Sequence, residues 1–261
     1  MIIADNIFMQ YPMPKKYIEY ITSPFRSHKF TALKGVSLNI EAGDRIAFLG
    51  TNGAGKTTLL KIIGGLLYPT TGSLTVNGHD TKKESLKAKK KVGFVLNEER
   101  SFYWRLTGRQ NLLFFASLDN FSGDGLHKKV DDLMDLVGLQ EAKDKIFAGY
   151  SSGMKQKLAI ARGMISSPDI LILDEPTRTL DPISADDIAS IISKRVHVNK
   201  DRTLLIATHS LAEAQRLCDK VCFMKKGAIV DFSSISDIID KYKTLENYYK
   251  LIINSDKNFE S

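Results

Sequence analysis

Residues 50–57 read Gly-Thr-Asn-Gly-Ala-Gly-Lys-Thr, a complete G-x-x-x-x-G-K-[ST] pattern. Its glycines let the backbone curl until successive N–H groups point inward, where they can bind phosphate oxygens. A helix beginning near Lys56 would direct its positive N-terminal end at the same phosphates. Lys56 would reach the outer phosphates, and the Thr57 hydroxyl would hold Mg²⁺. The segment predicts a nucleoside triphosphate site, and its candidate binding residues are Gly50, Thr51, Asn52, Gly53, Ala54, Gly55, Lys56, Thr57 and Thr58.

Two carboxylates and a histidine follow two further apolar segments. Asp174 and Glu175 come directly after residues 170–173, and Thr208 alone separates His209 from residues 204–207. Strands of this kind end at the carboxyl edge of a parallel sheet, where ligands bind. Asp174 is predicted to share the Mg²⁺ shell. Glu175 is predicted to orient and deprotonate a water beside the γ-phosphate, and His209 to contact that phosphate.

The elements that must position these side chains follow from the same segments. Residues 45–49 are an apolar strand before the phosphate loop, and residues 59–63 form one face of a helix after it. Short apolar strands separated by helices predict a parallel sheet built from βαβ units. Strands are also predicted at residues 1–11 and 36–49, a hairpin at residues 72–78, and helices across residues 107–146.

Composition limits the class of protein. The chain has 261 residues, a formal net charge of +7 and two cysteines, Cys218 and Cys222. The cysteines are predicted to be reduced packing residues, because two are too few for a disulfide scaffold. The sequence has no apolar run of membrane-spanning length and no signal peptide, which favours a cytosolic protein. Its basic charge suits an anionic surface or an acidic partner, but no nucleic-acid motif is present and direct nucleic-acid binding is not expected.

A third motif lies between the other two. Residues 150–156 read Tyr-Ser-Ser-Gly-Met-Lys-Gln, some twenty residues before the Asp-Glu pair. This segment resembles the Leu-Ser-Gly-Gly-Gln signature of ATP-binding cassette (ABC) ATPases. The order of motifs over residues 1–232 is also similar to that family: phosphate loop, signature, Leu-Asp-Glu-Pro, a Leu180-Asp181 loop and the strand-end His209.

The resemblance implies an α/β fold of the P-loop NTPase, ABC type, with a mixed-sheet RecA-like core, an antiparallel β subdomain and a helical subdomain. The ATPase domain would span residues 1–232, with its helical lobe at about 98–160, and an amphipathic helical tail would follow at 233–261. ATP and Mg²⁺ are the implied cofactors. Two copies would clamp two ATP molecules head to tail. The residues implied to contact ATP across that dimer are Ser151, Ser152, Gly153 and Met154, and Asp181 would couple the two sites.

Some positions depart from the family pattern. Ser152 replaces a glycine of the signature, and Met154 replaces its glutamine. The glutamine that usually supplies an oxygen to Mg²⁺ falls at either Asn97 or Glu98. The aromatic residue that stacks on adenine is expected at Tyr11, but the longer segment 12–29 leaves Tyr20 and Phe25 as alternatives.

Sequence features beyond the shared motifs distinguish the kinds of ABC protein. A kinase or GTPase would leave the signature unexplained, and DNA-repair and translation types carry insertions or second cassettes that this sequence lacks. The prediction is the ATPase subunit of a membrane exporter, peripheral at the cytoplasmic face of the membrane and driving separate integral membrane subunits. The segment 12–29 and the signature variant resemble those of bacterial exporters of polysaccharides, teichoic acids, and lipids or drugs, with polysaccharide as the preferred cargo. A soluble iron–sulfur assembly type remains as the alternative. Aromatic residues Phe102, Tyr103 and Trp104 are predicted to be exposed anchors for the membrane subunits, with a small core as the other interpretation.

Overall fold

A computed structural model describes residues 1–13, 29–96, 102–123, 125–196 and 202–254. The strands are β1 (Ile2–Pro12), β2 (Lys29–Ile40), β3 (Arg45–Leu49), β4 (Thr71–Val76), β5 (His79–Asp80), β6 (Val92–Val95), β7 (Ile170–Asp174), β8 (Thr203–Thr208), β9 (Lys220–Lys225) and β10 (Ala228–Ser234). The α-helices are α1 (Lys56–Ile63), α2 (Ser85–Lys90), α3 (Gly108–Leu118), α4 (Gly125–Leu136), α5 (Ser152–Gly163), α6 (Pro182–Ile191), α7 (Leu211–Leu217), α8 (Ile235–Tyr242) and α9 (Leu245–Asn254). Short 3₁₀ turns lie at Gln140–Ala142 and Phe147–Gly149, and a π-helical turn lies at Ile192–Val196.

The strand before the phosphate loop lies inside a sheet of six described strands, in the order β10-β9-β3-β8-β7-β6. Strand β3 pairs in parallel with β8 and β9, and β7 pairs in parallel with β6 and β8. β10 is antiparallel to β9, so the sheet is mixed. The parallel arrangement predicted from the alternating strands and helices is confirmed, and it places the ends of β3, β7 and β8 at one edge.

A second sheet has the antiparallel order β2-β1-β4-β5. Its buried side chains, such as Ile7 and Leu33, share a core with Phe48 of β3 and Leu59 of α1. The helix that begins at Lys56 is thus packed between the two sheets. The prediction of one strand over residues 36–49 is wrong, because the chain turns at residues 41–44: Gly43 has a φ of 84° and the Asp44 carboxylate accepts the N–H of Glu41 at 3.0 Å.

The helices α3, α4 and α5 form a lobe beside the sheet edge at β6. A capping box starts α3, in which Thr107 accepts the Gln110 N–H at 3.1 Å and Gln110 Oε1 accepts the Thr107 N–H at 2.9 Å. In the segment before α3, the three aromatic residues predicted to be exposed differ in their exposure. Phe102 is 5% exposed and packs tilted against Phe147 with ring centroids 4.9 Å apart. The prediction of an exposed Phe102 is therefore wrong, whereas Tyr103 and Trp104 are each about half exposed.

The C-terminal helices pack on β9. Leu245 is fully buried, and the Tyr248 and Tyr249 rings lie 5.5 and 5.9 Å from the Phe223 ring. The Lys225 ammonium donates to the carbonyls of Ile252 and Ile253 at 3.2 Å. These contacts agree with the prediction that the tail packs on its own domain. The predicted start of the tail at residue 233 falls inside β10, and the first tail helix starts at Ile235.

Cys218 and Cys222 are both buried free thiols, as predicted. Within the described ranges, the helices are too short or too polar to cross a membrane.

Candidate active site

The phosphate loop joins β3 to α1, and its shape depends on two close approaches. A Cβ at Gly50 would lie 2.2 Å from the carbonyl oxygen of Met224 in β9. Gly55 has a φ of 103°, and a Cβ there would lie 2.9 Å from the carbonyl oxygen of Ala32. Any side chain at these two positions would push the loop away from its neighbouring strands. The sequence alone gave no sign of these two contacts, because their partners come from distant segments.

Lys56 is the first residue of α1 and is 6% exposed. Its ammonium group donates to the carbonyls of Gly50 at 2.7 Å and Thr51 at 3.2 Å. Burial lowers the pKa of Lys56, while the nearby carboxylates Glu175 and Asp174 oppose that shift. Backbone carbonyls of the loop thus hold the Lys56 ammonium group. Phosphate oxygens, which are negatively charged, would accept stronger hydrogen bonds from it than these carbonyls do.

Thr57 and Asp174 meet across the sheet edge, as the sequence predicted for a shared metal shell. The Thr57 hydroxyl donates to Asp174 Oδ1 at 2.9 Å. Burial raises the pKa of Asp174, and the hydrogen bond from Thr57 opposes the rise. Both are hard oxygen donors, and neighbouring ligands of an octahedral Mg²⁺ lie about 3 Å apart. The pair therefore fits Mg²⁺, with Thr57 and Asp174 as the residues that would hold it.

Glu175 and His209 also lie together at this edge. His209 Nδ1 is 2.6 Å from Glu175 Oε2. The Glu175 N–H continues the sheet pairing by donating to Ala207 at 2.8 Å, but its φ of 52° is left-handed. A non-glycine residue in this region marks local backbone strain, which is common at functional sites. The turn leaves the carboxylate 12% exposed beside a histidine side chain that is 58% exposed.

Thr57, Asp174 and Glu175 open onto a cavity of about 510 Å³. His209, Gly50 and Thr51 are not among the described residues that line it. Tyr11, the loop residues from Asn52 to Thr58, Asp174 and Glu175 line it, as the sequence predicted for a nucleotide site. Five lining residues were missed: Phe30, Ala32, Lys61, Leu96 and Arg178. Phe30 could have been found from strand pairing, because it lies opposite Tyr11 in the β1–β2 register. Lys61 and Arg178 add positive charge to the wall.

Two aromatic rings on neighbouring strands could hold the nucleotide base. Phe30 is 52% exposed at the cavity, whereas Tyr11 is half-buried. The more exposed ring face offers the better stacking surface. Tyr20 and Phe25, the alternatives from the sequence, lie outside the described residues.

We expect Phe30→Ala to weaken ATP binding about tenfold, since stacking on an aromatic ring contributes roughly 1–3 kcal/mol per base. Titration with ATP measures this loss, and inorganic tripolyphosphate, which has no base, should bind unchanged. Phe30→Tyr keeps a ring and should bind ATP as the unmodified chain does. A larger loss from Tyr11→Ala than from Phe30→Ala would assign the base to Tyr11 instead.

The signature segment begins helix α5. Ser151 caps this helix by accepting the Met154 N–H at 3.3 Å, and Ser151 and Ser152 are exposed. Gly153 is buried, and a Cβ there would lie 3.0 Å from the Ser184 hydroxyl of α6. The signature helix therefore packs directly against the helix that Asp181 begins.

Asp181 accepts the N–H groups of Ile183 at 3.1 Å and Ser184 at 3.0 Å. Hydrogen bonds from Ser184 hold the pKa of Asp181 below its usual range. Among the described residues that line the phosphate-loop cavity, none comes from Ser151–Met154, and Asp181 is not among them either. Asn97 and Glu98, the two candidates for the remaining Mg²⁺ ligand, lie outside the described residues.

Known proteins are similar to this chain in sequence and in fold. Residues 33–178 match the family described as ABC transporter. NatA of Bacillus subtilis, an ABC transporter ATP-binding protein, is 34% identical over 84% of this chain and 88% of its own length. BcrA of Bacillus licheniformis, a bacitracin transport ATP-binding protein, is 35% identical over 81% of this chain and 67% of its own length. The solved cassette MJ0796, in a dimeric post-hydrolysis state with ADP and Pi, has a TM-score of 0.76 and 25% identity over 90% of this chain and 98% of its own.

Proposed function

The chain belongs to the ABC transporter family of ATP-binding proteins, and on that premise we propose that it powers a membrane exporter as a head-to-tail dimer around two ATP molecules. Its fold is that of the ABC-type P-loop NTPases, and it is an ATPase that serves as the ATP-binding subunit of a transporter. Export, the dimer geometry, the use of Mg²⁺ and the roles of single residues are the proposal.

The proposed chemistry assigns one task to each side chain at the sheet edge. Lys56 and the N–H groups at the start of α1 bind the outer phosphates. Mg²⁺, when bound by Thr57 and Asp174, would neutralise phosphate charge. Glu175 orients a water and accepts its proton, and His209, 2.6 Å away, holds the Glu175 carboxylate and faces the γ-phosphate. Arg178 supplies a further positive charge to the cavity wall.

The observation that carries the dimer proposal is the position of the signature. Ser151 and Ser152 are exposed at the N-terminus of α5, an arrangement that suits an anion, yet they do not line the cavity of their own chain. A second copy facing head to tail would bring them to that cavity. The dimeric state of the similar cassette MJ0796 supports this arrangement.

The aromatic patch, defined as Tyr103, Trp104 and Phe114, supports docking to membrane subunits. Fully buried Asn111 fixes the loop by accepting the Tyr103 N–H at 2.8 Å and donating to the Tyr103 carbonyl at 3.1 Å. The Tyr103 and Phe114 rings meet edge-on at 4.7 Å. Exposed rings held in a fixed arrangement are typical of interface anchors.

Trp104 also connects the patch to the signature helix. The Lys155 ammonium lies 4.9 Å from the centre of the Trp104 ring, and Lys155 directly follows Met154 in the signature segment. A partner seated on Trp104 would therefore contact the element that is proposed to bind the second copy's ATP. This link is the proposed route from ATP binding to the membrane subunits.

We expect Trp104→Ala to weaken binding to the membrane subunits about thirtyfold, as measured by co-purification, because a central aromatic anchor contributes about 2 kcal/mol. ATPase activity of the isolated chain should stay within about twofold. Phe232→Ala is the matched control, since this exposed aromatic residue lies on β10 at the opposite edge of the sheet. Equal loss of co-purification and ATPase activity in Trp104→Ala would favour a packing role.

Export and its cargo are tested in vesicles that contain the chain with its membrane subunits and ATP on the outside. The signature variant and the segment 12–29 are the grounds for a polysaccharide cargo. The similarity to BcrA favours a peptide antibiotic such as bacitracin as the second candidate. ATP-driven accumulation of either inside the vesicles supports export and selects between them. Release of preloaded cargo would contradict export, and failure to bind any membrane subunit would favour the iron–sulfur assembly alternative.

A further inference from the structure

Glu213 is a buried acidic side chain behind the catalytic edge. It is 7% exposed, and the other acidic residues that the structure describes all lie nearer to solvent. It belongs to α7 and does not line the nucleotide cavity. Burial of a carboxyl group is costly unless its hydrogen bonds are made. Its surroundings indicate what holds it in place.

The contacts of Glu213 reach both loops that carry the proposed catalytic pair. The Thr177 hydroxyl donates to Glu213 Oε1 at 2.9 Å. Burial raises the pKa of Glu213, and the hydrogen bond from Thr177 opposes the rise. The other carboxylate oxygen, Oε2, is buried and has no hydrogen-bond partner among the described residues. Thr177 follows Glu175 by two residues, and Thr208 directly precedes His209. The carboxyl group of Glu213 thus contacts the loop after β7, and the backbone of the same residue contacts Ser210 in the loop after β8.

The start of α7 fixes Glu213 itself. Ser210 Oγ accepts the Glu213 N–H at 3.2 Å, and Thr208 Oγ1 accepts the Ser210 N–H at 3.0 Å. The helix, the histidine loop and the glutamate loop are therefore connected through consecutive hydrogen bonds. Glu175 depends on such support, because its left-handed backbone is not a conformation it would keep by itself.

We propose that Glu213 is a positioning residue, which binds Thr177 through its carboxylate and is connected to Thr208 through Ser210, so that the Glu175 carboxylate stays against His209. The inference rests on the proposed catalytic roles of Glu175 and His209. Loss of the Glu213–Thr177 bond would let the glutamate loop turn away from the attacking water. The turnover number should then fall while ATP binding, which depends on the phosphate loop, stays the same.

Thr177 gives the cleaner test, since it lies nearer to solvent than Glu213. We expect Thr177→Val, which removes the hydroxyl at constant size, to lower kcat about tenfold with KM for ATP within twofold. Thr177→Ser restores the donor and should recover kcat to within twofold. If Thr177→Val retains the kcat of Thr177→Ser, or if KM rises in proportion to the loss, the proposal is wrong.

The partner position is tested in the same way. Glu213→Gln keeps a carbonyl oxygen for Thr177 and should stay within about threefold of the unmodified kcat, whereas Glu213→Leu should lose about tenfold. The double variant Glu213→Leu/Thr177→Val should lose no more than either single variant. Losses that multiply would overturn the proposal. Glu175→Gln distinguishes failure of the proposed function from failure of this inference. If Glu175→Gln is active, the proposed catalytic roles of Glu175 and His209 are wrong. If Glu175→Gln is inactive but Thr177→Val is fully active, only the positioning role of Glu213 is wrong.

Discussion

Replacing Glu175 by glutamine is expected to abolish ATP turnover while ATP binding remains. The amide can keep a hydrogen bond to His209, which lies 2.6 Å from the carboxylate, but it cannot accept a proton from water. General-base catalysis contributes about 10²–10⁴-fold, so kcat should fall by at least about a hundredfold. Lys56 and the phosphate loop are unchanged, so the Kd for ATP should stay within about threefold.

The same variant should accumulate as a dimer with ATP, because hydrolysis is proposed to reopen the pair. Light scattering with and without nucleotide measures the change in mass. Glu141→Gln makes the same substitution at an exposed position of the helical lobe and should retain full turnover. Turnover at the unmodified rate in Glu175→Gln would remove Glu175 as the base, whereas an inactive variant that stays monomeric with ATP would contradict the dimer proposal.

Local patterns predicted the strand–loop–helix unit and the ends of β7 and β8 because each is encoded within a few consecutive residues. The phosphate loop follows β3 and begins α1 at Lys56, as its glycine spacing indicated. Thr57 lies 2.9 Å from Asp174, a pairing that follows from parallel strands ending at one edge. The ABC-type fold inferred from the order of motifs is confirmed by its structural neighbours.

Features that depend on distant pairing were missed. Strands β9 and β10 were not predicted, although β9 pairs with β3 and its Met224 carbonyl fixes the position of Gly50. Phe30 reaches the cavity through its register with Tyr11, which no local pattern reveals. Glu213 looks like an ordinary helical glutamate until the fold buries it beside Thr177.

The sequence also did not predict which side chains of an irregular segment are buried. Phe102, Tyr103 and Trp104 are consecutive aromatic residues, and the sequence does not say which of them points inward. Contacts with Phe115 and Phe147 bury Phe102, while Asn111 fixes the loop that exposes Tyr103. The core interpretation thus applies to Phe102, whereas Tyr103 and Trp104 are exposed and their role as interface anchors is a proposal.

Replacing Lys56 by alanine is expected to remove most of the ATP affinity. A charged hydrogen bond to phosphate contributes about 1.5–3 kcal/mol, so the Kd should rise at least about tenfold and up to roughly a hundredfold. Stability should change little, because burial lowers the pKa of Lys56 and the buried charge is costly to the folded state. Titration calorimetry measures the affinity, and thermal unfolding checks the fold.

Lys61→Ala is the matched comparison for this prediction. Lys61 also lines the cavity, but it lies five residues further along α1 and outside the phosphate-loop motif. Removing the same charge there should raise the Kd less than about threefold. If only the total positive charge mattered, the Kd for ATP would rise equally in the two variants. A specific contact between Lys56 and the phosphates would make the rise larger in Lys56→Ala. Normal ATP binding by Lys56→Ala would contradict the assignment of residues 50–58 to the phosphates, because the Lys56 ammonium lies inside the loop, bound to the carbonyls of Gly50 and Thr51.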